Sequence, residues 1–204
     1  MRLTGIYAIV DAGATESPLA LLDDVLRAGV RLVQYRAKRG VARELVRAMH
    51  ARTQAAGALL IVNDDLEAAL DADGLHAGQE DLAALDARNA RERLAGRVLG
   101  VSCASPQQAR AAERLGADYL GAGPFALTGS KLDAGDAIGE AGVRAVVEAT
   151  ALPVAAIGGI ECEQLASVVR SGARMAAVIS AIARGPDASA NARALVTRWK
   201  ELTS

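Results

Sequence analysis

The chain has 204 residues, 51% hydrophobic and 23% charged, which suits one domain of ordinary size and excludes disorder as its main state. A net charge of −1 lacks the basic excess that a phosphate backbone needs, and 2% aromatic residues leave little to stack bases on, so no nucleic-acid partner is expected. No uncharged apolar run approaches a membrane span, and Cys103 and Cys162 match no metal spacing, so free thiols in a cytoplasmic protein are expected.

Met1–Gly5 leads directly into a strand pattern, and no signal peptide is expected there. Eight short β runs then follow: Ile6–Val10, Leu32–Arg36, Leu59–Val62, Gly74–His76, Val98–Ser102, Tyr119–Ala122, Val154–Ile157 and Ala176–Ile179. Several are continuously apolar, the pattern of parallel strands covered on both faces. Helical patterns fall between them at Leu19–Ala28, Arg43–Gln54, Gln107–Leu115, Val143–Ala149, Cys162–Arg170 and Ala190–Leu202, with shorter helices expected after strands 3 and 4. Three helices end alike, at Ala28-Gly29, Leu115-Gly116 and Ser171-Gly172, where glycine tolerates the left-handed turn that stops a helix. The reading is α/β, a single (β/α)8 TIM barrel domain over residues 1–204, with function at the C-terminal ends of the strands. A doubly wound sheet is the alternative; the turn Asp11-Ala12-Gly13-Ala14 does not fit its glycine fingerprint.

Strand 2 ends Gln34-Tyr35-Arg36-Ala37-Lys38. Alternation along a strand puts Gln34, Arg36 and Lys38 on one face with Leu32, directed into the barrel mouth, and Tyr35 on the other. Two cations there call for an anion. Strand 3 ends Asn63-Asp64-Asp65, and strand 4 is followed by Gln79-Glu80-Asp81. Asp64 and Asp81 either share a Mg²⁺ ion with substrate phosphates or act as helix N-caps, while Asp65 and Glu80 read as solvated helix-start charges. His76 reads as a packed histidine. Strand 5 places the Ser102 hydroxyl at the mouth, with Ser105-Pro106 capping the next helix.

Strand 6 opens the longest loop, in which Thr128, Ser130 and Lys131 offer two hydroxyls and a cation to a phosphate. Its glycines and few large apolar residues predict a lid over Phe125–Ile138 that closes on ligand. Gly158-Gly159 after strand 7 and Ile179-Ser180 after strand 8 match the recurrent barrel phosphate site. Together these residues predict a magnesium-assisted enzyme acting on a diphosphate, with a second phosphate held across the mouth.

In this order the sequence resembles the thiamine-phosphate synthase family. The resemblance is carried by Tyr7-Ala8-Ile9-Val10-Asp11, Gln34 through Lys38, Asn63-Asp64, His76 through Asp81, Gly100-Val101-Ser102, Gly123-Pro124, Thr128-Gly129-Ser130-Lys131, Gly158-Gly159-Ile160 and Val178-Ile179-Ser180. It implies a transferase that joins 4-amino-5-hydroxymethyl-2-methylpyrimidine diphosphate to a thiazole phosphate and releases diphosphate. It further implies that Gln34, Tyr35, Arg36, Ala37, Lys38, Asn63, Ser102 and Lys131 bind the pyrimidine diphosphate. Asp64 and Asp81 would ligate Mg²⁺, and Thr128, Gly129, Ser130, Gly159, Ile179 and Ser180 would hold the thiazole phosphate. Arg36, Lys38, Ser102 and Lys131 are the residues expected to carry the chemistry. The expected partners are these two small molecules, with no membrane; a homodimer is compatible. Departures are Tyr35 for leucine, Ala104 for histidine, Leu127 for proline and Ser130 for threonine. A thiazole tautomerase on the same barrel and an inactive precursor-binding barrel are the alternatives; the first needs no diphosphate–metal site.

Overall fold

The apolar runs form eight strands: β1 (Gly5–Asp11), β2 (Leu32–Arg36), β3 (Leu59–Asn63), β4 (Gly74–Ala77), β5 (Val98–Cys103), β6 (Tyr119–Ala122), β7 (Val154–Ile157) and β8 (Met175–Val178). All neighbours run parallel, and β8 pairs back onto β1 with Met175 beside Gly5, closing the ring. These features come from a computed structural model that describes residues 3–79, 82, 87–127, 136–185 and 187–204. The predicted (β/α)8 barrel is the observed fold. A doubly wound sheet would leave two open edges, and here none exists.

Helices α1 (Pro18–Arg27), α2 (Arg43–Ala55), α3 (Leu66–Ala69), α4 (Ala87–Arg93), α5 (Pro106–Arg114), α6 (Gly139–Glu148), α7 (Leu165–Arg170), α8 (Ser180–Ala183) and α9 (Ala188–Thr203) accompany the strands. Pro18 and Pro106 open α1 and α5 where a missing N–H costs nothing, and the Ser105 side chain accepts from the Gln108 N–H as expected. Two helices depart from expectation. α6 starts at Gly139 rather than Val143, because Gly139 and Gly142 mask helical periodicity; a Cβ at Gly142 would come within 2.5 Å of Ile138 Cβ. The predicted Cys162–Arg170 helix divides into a 3₁₀ turn, Cys162–Gln164, and α7, with Glu161 and Gln164 forming a reciprocal capping box.

Alternation along the strands sorts two apolar layers. Tyr7, Ile9, Leu32, Ile61, Tyr119 and Met175 fill the barrel interior. Their neighbours Ala8, Val10, Val33, Tyr35, Leu60 and Val62 face outward and pack under the helices. Small residues keep this outer layer thin: Ala68, Ala69, Ala109 and Ala112 are fully buried on helix faces. Helices can thus lie close to the sheet, leaving the polar strand ends to line the mouth.

Candidate active site

A cavity of about 320 Å³ opens at the C-terminal ends of the strands. Gln34, Arg36, Asn63, Asp64, Ser102, Gly159, Ile179 and Ser180, all predicted from the sequence, line it. Others of the predicted set do not. Tyr35 is buried in the outer layer, on the parity expected, so its side chain turns away from the mouth. Ala37 packs against the outer layer as well, and Lys38 is exposed beyond the strand end. Asp81, Thr128, Gly129, Ser130 and Lys131 lie outside the described residues, as does the central part of the predicted lid.

The anion that Arg36 requires is Asp11. The two residues are register partners on β1 and β2, and the Arg36 Nη1 group donates to Asp11 Oδ2. Asp11 is only 7% exposed, and its other oxygen accepts from the Gly13 N–H at 2.7 Å. A carboxylate fixed at both oxygens holds the guanidinium in place, leaving its remaining N–H groups for a ligand. Sequence reading passed over Asp11, although the parity count that placed Gln34 and Arg36 inward also places Tyr7, Ile9 and Asp11 inward.

Between the two aspartates after β3, the roles are divided. Asp65, read as a solvated charge, is the N-cap of α3 and accepts from the Ala68 N–H at 2.9 Å. Asp64 is therefore not the cap. It sits at the exposed rim with φ +61°, a left-handed conformation that non-glycine residues seldom adopt, and Asn63 Nδ2 donates to its carboxylate. A strained residue at a cavity rim points to a constraint other than folding.

Deeper in the wall, Ser102 Oγ lies 3.0 Å from His76 Nε2, whose ring also meets the Tyr119 hydroxyl at 2.9 Å. His76 is packed, as expected, but it belongs to the cavity lining. Cys103 lines the cavity too. Burial pushes its thiol up to about 12, which makes it packing rather than a nucleophile.

On the opposite side, backbone does the shaping. Gly158 and Gly159 take φ +98° and +63°, and a Cβ on Gly159 would lie 2.6 Å from the Leu127 carbonyl oxygen. The stem of the β6 loop runs against them: the Phe125 N–H donates to the Ile157 oxygen at 2.7 Å and the Ala126 N–H to the Gly158 oxygen at 2.9 Å. Phe125 is buried in the outer core, and Ile138 packs on it and donates to the Pro124 oxygen at 2.8 Å. Both ends of the predicted lid segment are thus packed, while Leu127 is exposed and residues 128–135 lie outside the described residues. Phe125 and Ile138 are the large apolar residues that anchor them.

Residues 6–182 match the family model described as thiamine monophosphate synthase. The thiamine-phosphate synthase of Moorella thermoacetica is 44% identical over 199 residues, covering 93% of each chain. The thiamine biosynthesis bifunctional protein ThiM/ThiE of Symbiobacterium thermophilum is 46% identical over 94% of this chain, which spans only 40% of that relative's length. Among solved structures, a thiamine phosphate pyrophosphorylase from Pyrococcus furiosus superposes with TM-score 0.89 at 30% identity, covering 98% of both chains. The chain belongs to the thiamine monophosphate synthase family.

Proposed function

We propose that this chain is a thiamine-phosphate synthase, joining the pyrimidine diphosphate to the thiazole phosphate and releasing diphosphate. The observation that carries this reading is Arg36, locked on Asp11 in one wall of a cavity whose opposite wall is glycine backbone. One wall suits a departing diphosphate, and the other suits a smaller phosphate approached by main-chain N–H groups. Family membership and the relatives' names support the same reading.

In the proposed step, the bond between the pyrimidine methylene carbon and the diphosphate oxygen breaks, and the diphosphate leaves with the electron pair. The thiazole nitrogen then supplies its lone pair to the methylene cation, forming the new C–N bond. Arg36 takes up charge on the leaving group, assisted by Lys38 and Lys131 as the family resemblance implies. Ser102, Gln34 and Asn63 hold the pyrimidine, and Gly159, Ile179 and Ser180 with Thr128 and Ser130 hold the thiazole phosphate.

The donor set suits Mg²⁺. Asp64 is a hard oxygen donor at the rim, and Asp65 rather than Asp64 caps α3. Mg²⁺ takes one or two carboxylates and completes its shell with phosphate oxygens and water. Asp64 and Asp81 would hold it, and when bound it supplies charge neutralisation for the diphosphate.

Turnover with both substrates, followed by diphosphate release with and without Mg²⁺, tests the reading. Stoichiometric diphosphate and thiamine phosphate, dependent on Mg²⁺, are expected; no release from the two substrates together would overturn it. Intact-mass analysis during turnover should show no covalent pyrimidine–protein adduct, because the nucleophile in the step is the thiazole nitrogen and no protein side chain takes that part.

A further inference from the structure

The barrel interior holds a chain of polar side chains whose middle members the proposed step leaves idle. Gln34 Nε2 donates to the Tyr7 hydroxyl at 2.8 Å, and the Tyr7 and Tyr119 hydroxyls are 2.7 Å apart. Tyr119 meets His76 Nδ1 at 2.9 Å, and His76 Nε2 meets Ser102 Oγ at 3.0 Å. Five strands contribute, and glycines make the room. A Cβ at Gly100 would lie 2.1 Å from Tyr119 Cζ, and one at Gly121 would lie 3.0 Å from His76 Cε1.

The direction of the chain follows from its ends. Burial raises the pKa of both tyrosines far above the ordinary phenol value, so each keeps its proton and donates once. The Gln34 amide nitrogen can only donate. Tyr7 therefore accepts from Gln34 and donates to Tyr119, and Tyr119 donates to His76 Nδ1. An imidazole that accepts at Nδ1 carries its proton on Nε2, which donates to Ser102. An imidazolium would donate at both nitrogens and set one phenol proton between donors, which this order of donors does not accommodate.

We infer that Tyr7, Tyr119 and His76 are positioning residues that fix the hydrogen-bond polarity of the cavity wall. Ser102, which accepts from His76, turns its own proton to the ligand, and Gln34 presents its carbonyl oxygen. The consequence for substrate rests on the proposed function. A 4-aminopyrimidine offers an amino donor and ring-nitrogen acceptors, whereas the 4-oxo analogue exchanges donor and acceptor along that edge. The wall selects amino over oxo because a mismatched edge leaves buried polar groups unpaired.

Nitrogen-15 NMR of the histidines in the ligand-free protein reads the polarity directly, independently of any activity. The proton is expected on Nε2 of His76, with Nδ1 at a hydrogen-bonded acceptor's shift. Tyr119→Phe should move the Nδ1 resonance toward that of an unbonded nitrogen, and Tyr7→Phe should move it less, since Tyr119 still donates. A proton on Nδ1 in the parent protein, or an Nδ1 resonance indifferent to Tyr119→Phe, would overturn the inference. The second readout is kcat/KM for the 4-amino against the 4-oxo pyrimidine diphosphate. Tyr119→Phe should shrink that ratio at least tenfold, and an unchanged ratio overturns the selectivity. If neither compound reacts with the parent protein while Nε2 carries the proton, the proposed function fails and the wall polarity stands.

Discussion

The two sides of the barrel mouth are built from different parts of the chain. Around β1 to β5 the cavity is lined by side chains fixed by other side chains: Arg36 by Asp11, Asp64 by Asn63, Ser102 by His76. Around β7 and β8 it is lined by Gly158, Gly159, Ile179 and Ser180, where main chain comes to the surface. The difference fits the ligands proposed for each side. A diphosphate that must leave needs strong, aimed charge, whereas a phosphate that only anchors a substrate needs N–H groups and space.

The largest expected effect breaks the side-chain half. Arg36→Ala should lower kcat/KM by roughly 10²–10³-fold, as removal of a transition-state charge partner does. It should also destabilise the fold by about 3 kcal/mol, because it leaves a buried carboxylate unpaired. Steady-state kinetics with each substrate varied should place the loss on the pyrimidine diphosphate, and urea unfolding reads the stability.

Gly159→Ala strikes the backbone half. The added methyl meets the Leu127 carbonyl oxygen at 2.6 Å and forces alanine to φ +63°, a strain of about 1–2 kcal/mol. KM for the thiazole phosphate should rise by about tenfold, the equivalent of 1.4 kcal/mol, with little change for the other substrate. An equal rise for both would dissolve the division of the mouth. The smallest effect separates neighbours. Asp65→Ala should cost about 1 kcal/mol of stability through the lost α3 cap. A Mg²⁺ titration should show its metal requirement unchanged, in contrast to Asp64→Ala.

How much of this could be read in advance differs between the halves. The strand boundaries of β2, β6 and β7 were legible to the residue; for β6 and β7 the reason is a short apolar run that leaves few choices of end. Arg36, Ser102 and Gly159 were legible from strand parity and barrel geometry. Asp11 was not singled out, because a carboxylate at a strand end looks solvated until the register of β1 on β2 sets it beside Arg36. Tyr7 and Tyr119 are 112 residues apart in sequence and meet only when the barrel interior forms. That Asp65 rather than Asp64 caps α3 depends on local backbone geometry that composition does not encode.

The division of the mouth is tested most directly by a crystal structure of the protein with diphosphate, thiamine phosphate and Mg²⁺. The account predicts the diphosphate against Arg36, with Mg²⁺ on Asp64, and the phosphate of the second product against the main chain of Gly159 and Ser180. A diphosphate seated on the glycine side, or both phosphates clustered on one wall, would contradict it.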